Sequence, residues 1–262
     1  MKTEVRALGR VTLEGLRWLG EAQLLLQQAV GLVLRGRVRR AETVQQMAVI
    51  GFDSLPIVVL TLFSGGMVLA LNTTRLAVTY GFQNYTGGAV AVALARELGP
   101  VLTAVVVAAR VGSAIAAELG SMKITDQVDA LRSLAVSPVA YLVVPRLLAA
   151  VVMLPVLTVL ADAAGGAGAY IIAVGQGISP EQYGLSIQRF LTAFDFFGGL
   201  GKAAVFGLVI ALVSSHSGLR AHGGAQGVGR AVTSAVVISI VVIYVVDYFL
   251  TWIMLSLIAL GQ

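Results

Sequence analysis

The sequence of 262 residues has no cysteine and little charge. The first absence excludes disulfides, thiolate metal sites and cysteine nucleophiles, and leaves the compartment open. The second says more. Charged residues make up 12% of the chain, against about 25% in soluble domains, too few to cover a soluble surface. Hydrophobic residues make up 58%, and the mean hydropathy is +0.90. Alternating segments of about ten residues, the mark of a membrane β-barrel, are also missing. The apolar runs are long and continuous, so helices are the structure that satisfies the backbone in lipid. The expected fold class is an all-α integral membrane protein, one domain over residues 1–262. A secretory signal pattern is lacking too, because charge interrupts the first apolar run.

What is present can be read from the N-terminus. Val5, Leu8, Leu16, Leu19 and Leu26 recur near one face of a helix ending about Leu34, and Arg6, Arg10, Glu14, Arg17 and Glu21 recur on another. This pattern predicts an interfacial amphipathic helix with its arginines toward anionic lipid, or else a surface helix on a partner protein. Arg35, Arg37, Arg39 and Arg40 form a basic elbow that closes this region near residue 45. A nucleic-acid site is the weaker reading of such a run in so apolar a chain, and no nucleic-acid partner is expected.

Five spans are predicted in the transmembrane region 46–262: about Phe52–Leu71, Ala89–Ala117, Val143–Val174, Phe194–His216 and Ala231–Leu260. Each is long enough to cross a hydrocarbon core of about 30 Å. Thr125 is the expected N-cap of a short helix between spans two and three, with Asp126 and Asp129 in its first turn. Basic residues gather at the N-terminus and at the second and fourth connectors (Lys123, Arg132, Arg220, Arg230), while the other side holds Arg75, Arg189 and Lys202. That asymmetry predicts a cytoplasmic N-terminus and a periplasmic C-terminus.

No nucleotide motif is found. Gly198-Gly-Leu-Gly201-Lys202 lacks the first glycine and the hydroxyl residue of a phosphate loop, so these glycines are read as helix-packing sites. His216 stands among serines, but neighbours on a helix diverge and make no triad, so a solvated helix end is expected there. Metal ligands at useful spacing are lacking. The chemistry therefore rests on charges inside spans. Arg96-Glu97 lies beside Gly99-Pro100, where proline predicts a kink. A charge in hydrocarbon costs about 2.5–3.5 kcal/mol on insertion scales, so such groups face a cavity or a partner. The pair is read as a cavity wall touching a polar ligand head, against a structural ion pair between helices. Asp162 and Asp247 are read as packing residues, against a proton relay.

Leu94-Ala-Arg-Glu-Leu-Gly-Pro-Val-Leu-Thr-Ala104, Ala109-Arg-Val-Gly-Ser-Ala-Ile-Ala-Ala-Glu-Leu-Gly-Ser-Met-Lys-Ile-Thr-Asp-Gln-Val-Asp-Ala-Leu131, Pro145-Arg-Leu and Leu154-Pro155 resemble the MlaE/YrbE permease family. These are membrane subunits of ABC transporters that work with MCE proteins. The resemblance covers essentially the whole chain and departs only in a slightly longer C-terminus. It implies a homodimer in the bacterial inner membrane, with an interfacial helix, five spans and a coupling helix per protomer. The implied partners are cytoplasmic ABC ATPase subunits, a periplasmic ring of MCE subunits and, in some systems, a small STAS-domain protein. The implied cargo is phospholipid moved between inner and outer membranes. No cofactor is expected on this chain; ATP and Mg belong to the ATPase, and the chain itself is not an enzyme. The lipid cavity is expected between protomers, at Arg96, Glu97, Leu69, Leu71, Leu76, Tyr80 and Leu98. Coupling to the ATPase is expected from Glu118, Lys123, Asp126, Asp129 and Arg132. The rival from another class is an ion- or proton-coupled secondary transporter using Asp162, Glu97 and Asp247. The inverted repeat expected of one is not visible.

Overall fold

The computed structural model describes residues 2–36 and 38–260, with side chains except at 2–12, 14 and 260. The expected faces of the first helix that rest on Val5, Arg6, Leu8, Arg10 and Glu14 lie outside the described side chains, as does Arg37 of the basic elbow.

Helix α1 (Lys2–Leu34) is followed by α2 (Arg40–Tyr80), α3 (Gln83–Ile124), α4 (Gln127–Ser133) and α5 (Val139–Gly175). Then come α6 (Pro180–Phe190), α7 (Ala193–Leu219) and α8 (Gly224–Leu260). No strand occurs among the described residues. Helices α2, α3, α5, α7 and α8 are each long and apolar enough to cross a membrane. They begin or end outside the predicted limits because continuous helices carry the flanking polar residues past the apolar runs.

In α1 the face packed on the body is Ala22, Leu25 and Ala29, whereas Leu13, Leu16 and Leu19 are exposed. Small residues let the helix lie close; of the leucines expected on one stripe, Leu16 and Leu19 point away from the protein and Leu26 packs against it.

Small residues also set the main crossing. A Cβ on Gly66 would overlap the carbonyl of Gly165, and one on Gly168 the carbonyl of Phe63. The backbones of α2 and α5 therefore touch, which in lipid replaces the absent hydrophobic drive with dispersion and close approach. The core between α3, α5 and α7 is filled by Leu119, Leu154, Leu157, Phe206 and Ile210, all essentially buried. Gly81, at φ 77°, ends α2 in the left-handed conformation that glycine adopts without a Cβ clash.

Helix α3 is not simply kinked at Pro100. It holds two π-turns, Leu94–Leu98 and Ala108–Gly112, and the N–H of Gly99 bonds back five residues to the carbonyl of Leu94. Each π-turn carries an arginine, Arg96 or Arg110.

The short connector helix also differs from expectation. Thr125 is not its N-cap: Asp126 holds that position at φ 57°, with no side-chain cap. The Thr125 hydroxyl instead donates to the Ser121 carbonyl at 2.8 Å, closing the end of α3. Val128 is buried and anchors α4, but Ala135 lies beyond the helix at φ 58°.

Candidate functional site: a charge cluster within the bundle

Thr192 starts α7 with a capping box. Its hydroxyl accepts from the Asp195 N–H at 3.3 Å, and Asp195 Oδ2 accepts from the Thr192 N–H at 2.9 Å. This fixes Asp195 in the first turn, fully buried. Its other oxygen, Oδ1, accepts from Arg96 Nε at 2.7 Å and Nη2 at 2.6 Å. One carboxylate thus caps a helix and holds an intramembrane guanidinium.

Gly199 and Lys202 follow Asp195 at four and seven residues, on the same face of α7. A Cβ on Gly199 would overlap the carbonyl of Ala95, so the glycine lets α7 lie directly against the first π-turn. Lys202, almost wholly buried, lies within bonding distance of four acceptors: the Arg96 carbonyl at 3.0 Å, Glu97 Oε1 at 2.9 Å, Asp247 Oδ1 at 3.0 Å and Thr251 Oγ1 at 2.7 Å. The first contact follows from the sequence. Pro100 has no N–H to give the carbonyl four residues earlier, which is that of Arg96. The lysine ammonium serves that carbonyl instead. Thr251 in turn donates to Glu97 Oε1 at 3.1 Å, and Asp247 and Thr251 share one face of α8.

Arg96 and Glu97 therefore do not pair with each other. Adjacent residues diverge around a helix: Arg96 reaches Asp195 at the start of α7, and Glu97 reaches Lys202 and α8. Asp247 belongs to the same cluster. Lys202, expected near a span end on the outer side, is its buried centre. Asp195 and Thr251 were not anticipated from the sequence. The usable signal for Asp195 was Thr192-Ala-Phe-Asp195, a capping-box pattern ahead of an apolar run.

Arg96 retains 26% of its side-chain exposure and forms one wall of a cavity of about 350 Å³ with Tyr85, Gly88, Ala89, Val92 and Phe190. The trough is apolar, with a cation at one edge. Leu69 and Leu98 pack together around Val90 and Leu94. Leu71 is half-buried, and Leu76 and Tyr80 are exposed farther along α2. Asp162 stands apart from the cluster, its carboxyl lying where a Cβ on Gly99 would be and its Oδ1 without a hydrogen-bond partner among the described residues.

The second candidate group divides in two. Lys123 and Arg132 both hold Asp129, at 2.7 Å and 2.8 Å. The Lys123 hydrogen bond keeps the Asp129 carboxyl below its ordinary value. Glu118 lies instead on α3, paired with buried Arg146 of α5 at 2.7 Å. His216 is buried rather than solvated, because α1 covers it. Its Nε2 is 3.3 Å from Glu21 Oε2, and Trp18 meets its ring edge-on.

Five membrane-length helices around a buried charge cluster define a multi-pass α-helical membrane protein. Comparison places it more closely. The family model described as Permease MlaE matches residues 43–253, and the chain belongs to that family. It is similar to a probable ABC transporter permease of Synechocystis, 44% identical over 85% of both chains. A probable ABC transporter permease of Rickettsia felis is 38% identical over 87% of this chain and 88% of its own. The chloroplast protein TRIGALACTOSYLDIACYLGLYCEROL 1 of Arabidopsis thaliana is 37% identical over 83% of this chain and 63% of its own. The chain is an ABC transporter permease of the MlaE family.

Proposed function

We propose that this permease moves phospholipid between the inner and outer bacterial membranes as a homodimer, maintaining outer-membrane lipid asymmetry. The observation that carries the reading is the apolar trough ending at Arg96. An acyl chain fits the part lined by Tyr85, Val92 and Phe190, and a lipid phosphate fits the guanidinium. Leu69, Leu71, Leu76, Tyr80 and Leu98 extend the apolar wall toward the second protomer, and Glu97, held by Lys202, borders its polar end. The plant relative, whose name is that of a diacylglycerol galactolipid, supports a lipid cargo. Energy comes from separate ABC ATPase subunits, which use ATP and Mg, docked at the α3–α4 corner by Lys123, Asp126, Asp129 and Arg132, with Glu118 bracing α3 behind it. A periplasmic MCE ring, and in some systems a STAS-domain subunit, complete the assembly. The N-terminus is cytoplasmic and the C-terminus periplasmic, with α1 in the headgroup layer.

The test is lipid transfer by the co-purified complex between proteoliposomes and acceptor vesicles. Arg96→Ala and Glu97→Ala are expected to reduce ATP-dependent transfer strongly while the subunits remain assembled. Normal transfer by both variants would remove the site assignment. Ion-coupled transport is the competing reading. It expects transfer by the chain alone under an ion gradient without ATP. The engagement of Asp247 and Glu97 by Lys202 counts against it.

A further inference from the structure

A second cavity, more polar than the Arg96 trough, lies far from it at the corner of α1, α7 and α8. Its volume is about 250 Å³, and it is lined by Trp18, Arg220, His222, Arg230, Ser234 and Ile238 among others. We propose that it binds the phosphodiester of an anionic phospholipid headgroup, as a site separate from the transport trough.

Charge is the first ground. Arg220 is half satisfied, its Nη1 lying 3.2 Å from Glu21 Oε2. Arg230 is exposed, and its guanidinium lies over Gly223, where a Cβ would come within 3.4 Å of Nη2. Among the described residues Arg230 has no carboxylate partner, and its side chain lines the cavity. Guanidinium and phosphate match in charge and in paired hydrogen bonds. His222 Nδ1 is engaged by the Arg220 carbonyl at 2.9 Å. Its Nε2 donates only when the ring is protonated, so the arginines carry the recognition.

Shape is the second ground. From Arg220 and Arg230 the lining passes to Ala231, Ser234 and Ile238, descending two turns of α8. Charge gives way to a hydroxyl and then to an apolar side chain, the order met along a phospholipid from phosphate through glycerol to acyl chain. Trp18 closes the other side, on the helix whose Leu13, Leu16 and Leu19 point outward. Tryptophan favours the headgroup level of a membrane. A soluble phosphate anion shares the recognition chemistry, but leaves Ser234 and Ile238 without a role.

Trp18 provides a direct readout, since Trp252 is the other tryptophan. In a Trp252→Phe background of the full chain in detergent, Trp18 emission is titrated with dihexanoyl phosphatidylglycerol, dihexanoyl phosphatidylcholine and inorganic phosphate. Phosphatidylglycerol is expected to give a saturable change, with phosphatidylcholine weaker. Arg230→Gln is expected to weaken phosphatidylglycerol by about tenfold or more, the range of a charge-assisted hydrogen bond, with partial recovery in Arg230→Lys. Among the described residues Arg230 makes no ion pair, so its variants should melt with the parent. Inorganic phosphate binding as tightly as the lipid, and equally dependent on Arg230, keeps the phosphate chemistry and assigns it a soluble source. No saturable response, equal binding of the two lipids, or indifference to Arg230→Gln overturns the site.

Discussion

Lys202 is the buried side chain at the centre of the charge cluster. It holds Glu97, Asp247, Thr251 and the Arg96 carbonyl. Removing one partner of a buried ionic cluster leaves uncompensated charge, at a cost of about 3–5 kcal/mol. The open side of Glu97, with 38% of its side chain exposed, moves the expectation to the low end. Lys202→Met should therefore lower the melting temperature of the detergent-solubilised protein by several degrees, and Lys202→Arg should not restore it, since a planar fork does not reach the same four acceptors. A melt unchanged in Lys202→Met would falsify the central role. Gly99 gives a sharper test, because the nearest atoms its Cβ would meet are the end of the Asp162 side chain, with the Leu94 carbonyl oxygen next at 3.0 Å. Gly99→Ala should destabilise and Gly99→Ala/Asp162→Ala should recover much of the loss, read as a double-mutant cycle of thermal unfolding. At Gly199 the obstacle is the Ala95 carbonyl, so Gly199→Ala has no such rescue.

At the scale of elements, the helices were legible because hydropathy in the chain is continuous and punctuated by charge. Their interruptions were not. A π-turn differs from an α-turn by one residue of hydrogen-bond offset, which leaves no mark in composition; Gly99-Pro100 marked the neighbourhood but pointed to a kink. The Arg96–Asp195 bond spans 99 residues and Thr251–Glu97 spans 154, so adjacency misled where Arg96-Glu97 looked like a pair. Helix α4 was placed closely, since Asp126 and Asp129 mark its acidic start, while its cap was missed because Asp126 takes a left-handed backbone that threonine disfavours. In α4, Asp129 is held below its ordinary carboxylate value of 3.8 by Lys123. A depressed carboxylate contributes above its unfolded value and loses that contribution as pH falls through the folded one. Hydrogen-exchange protection of α4 should thus be level from pH 8 to about 5 and decline only below about 4. Loss of protection already between pH 7 and 6 would exclude this pair as a support of α4 beside Val128. Asp129→Lys should also lower ATP turnover of the assembled transporter; unchanged assembly and turnover would remove α4 from the coupling path.

For the whole molecule, the faces left uncovered are the guide. Helix α8 exposes Val241, Tyr244, Val245, Tyr248, Phe249 and Trp252, and α2 exposes Leu60, Val68, Leu76 and Tyr80. These residues read as lipid-facing or partner-facing from burial alone. The proposed homodimer distinguishes the two. Because the chain has no cysteine, a single Leu76→Cys is a unique label. If α2 lines the cavity between protomers, this variant should crosslink two chains with a short bifunctional reagent in native membranes, whereas Ile171→Cys, exposed on α5, serves as the lipid-facing comparison. Equal crosslinking at both positions, or none at Leu76, would place the second protomer elsewhere.

The first π-turn also acts as an insertion written into a continuous rod. One residue more than an α-turn holds rotates everything beyond it by about 100°, the angle between successive residues. The N-terminal part of α3 consequently faces α6 with Gly87 and Gly88, both in close approach to that helix, while Arg96 and Glu97 face α7 and α8. Deleting one residue, Ala93 for instance, would return the turn to α-helix without breaking the span. Because that deletion removes the residue the wider turn absorbs, Gly87 and Gly88 would keep their phase relative to the helix beyond; an α-turn that retained every residue would instead swing the two parts about 100° out of step. The identity of the site is thus carried as much by the phase of one helix as by the residues on it.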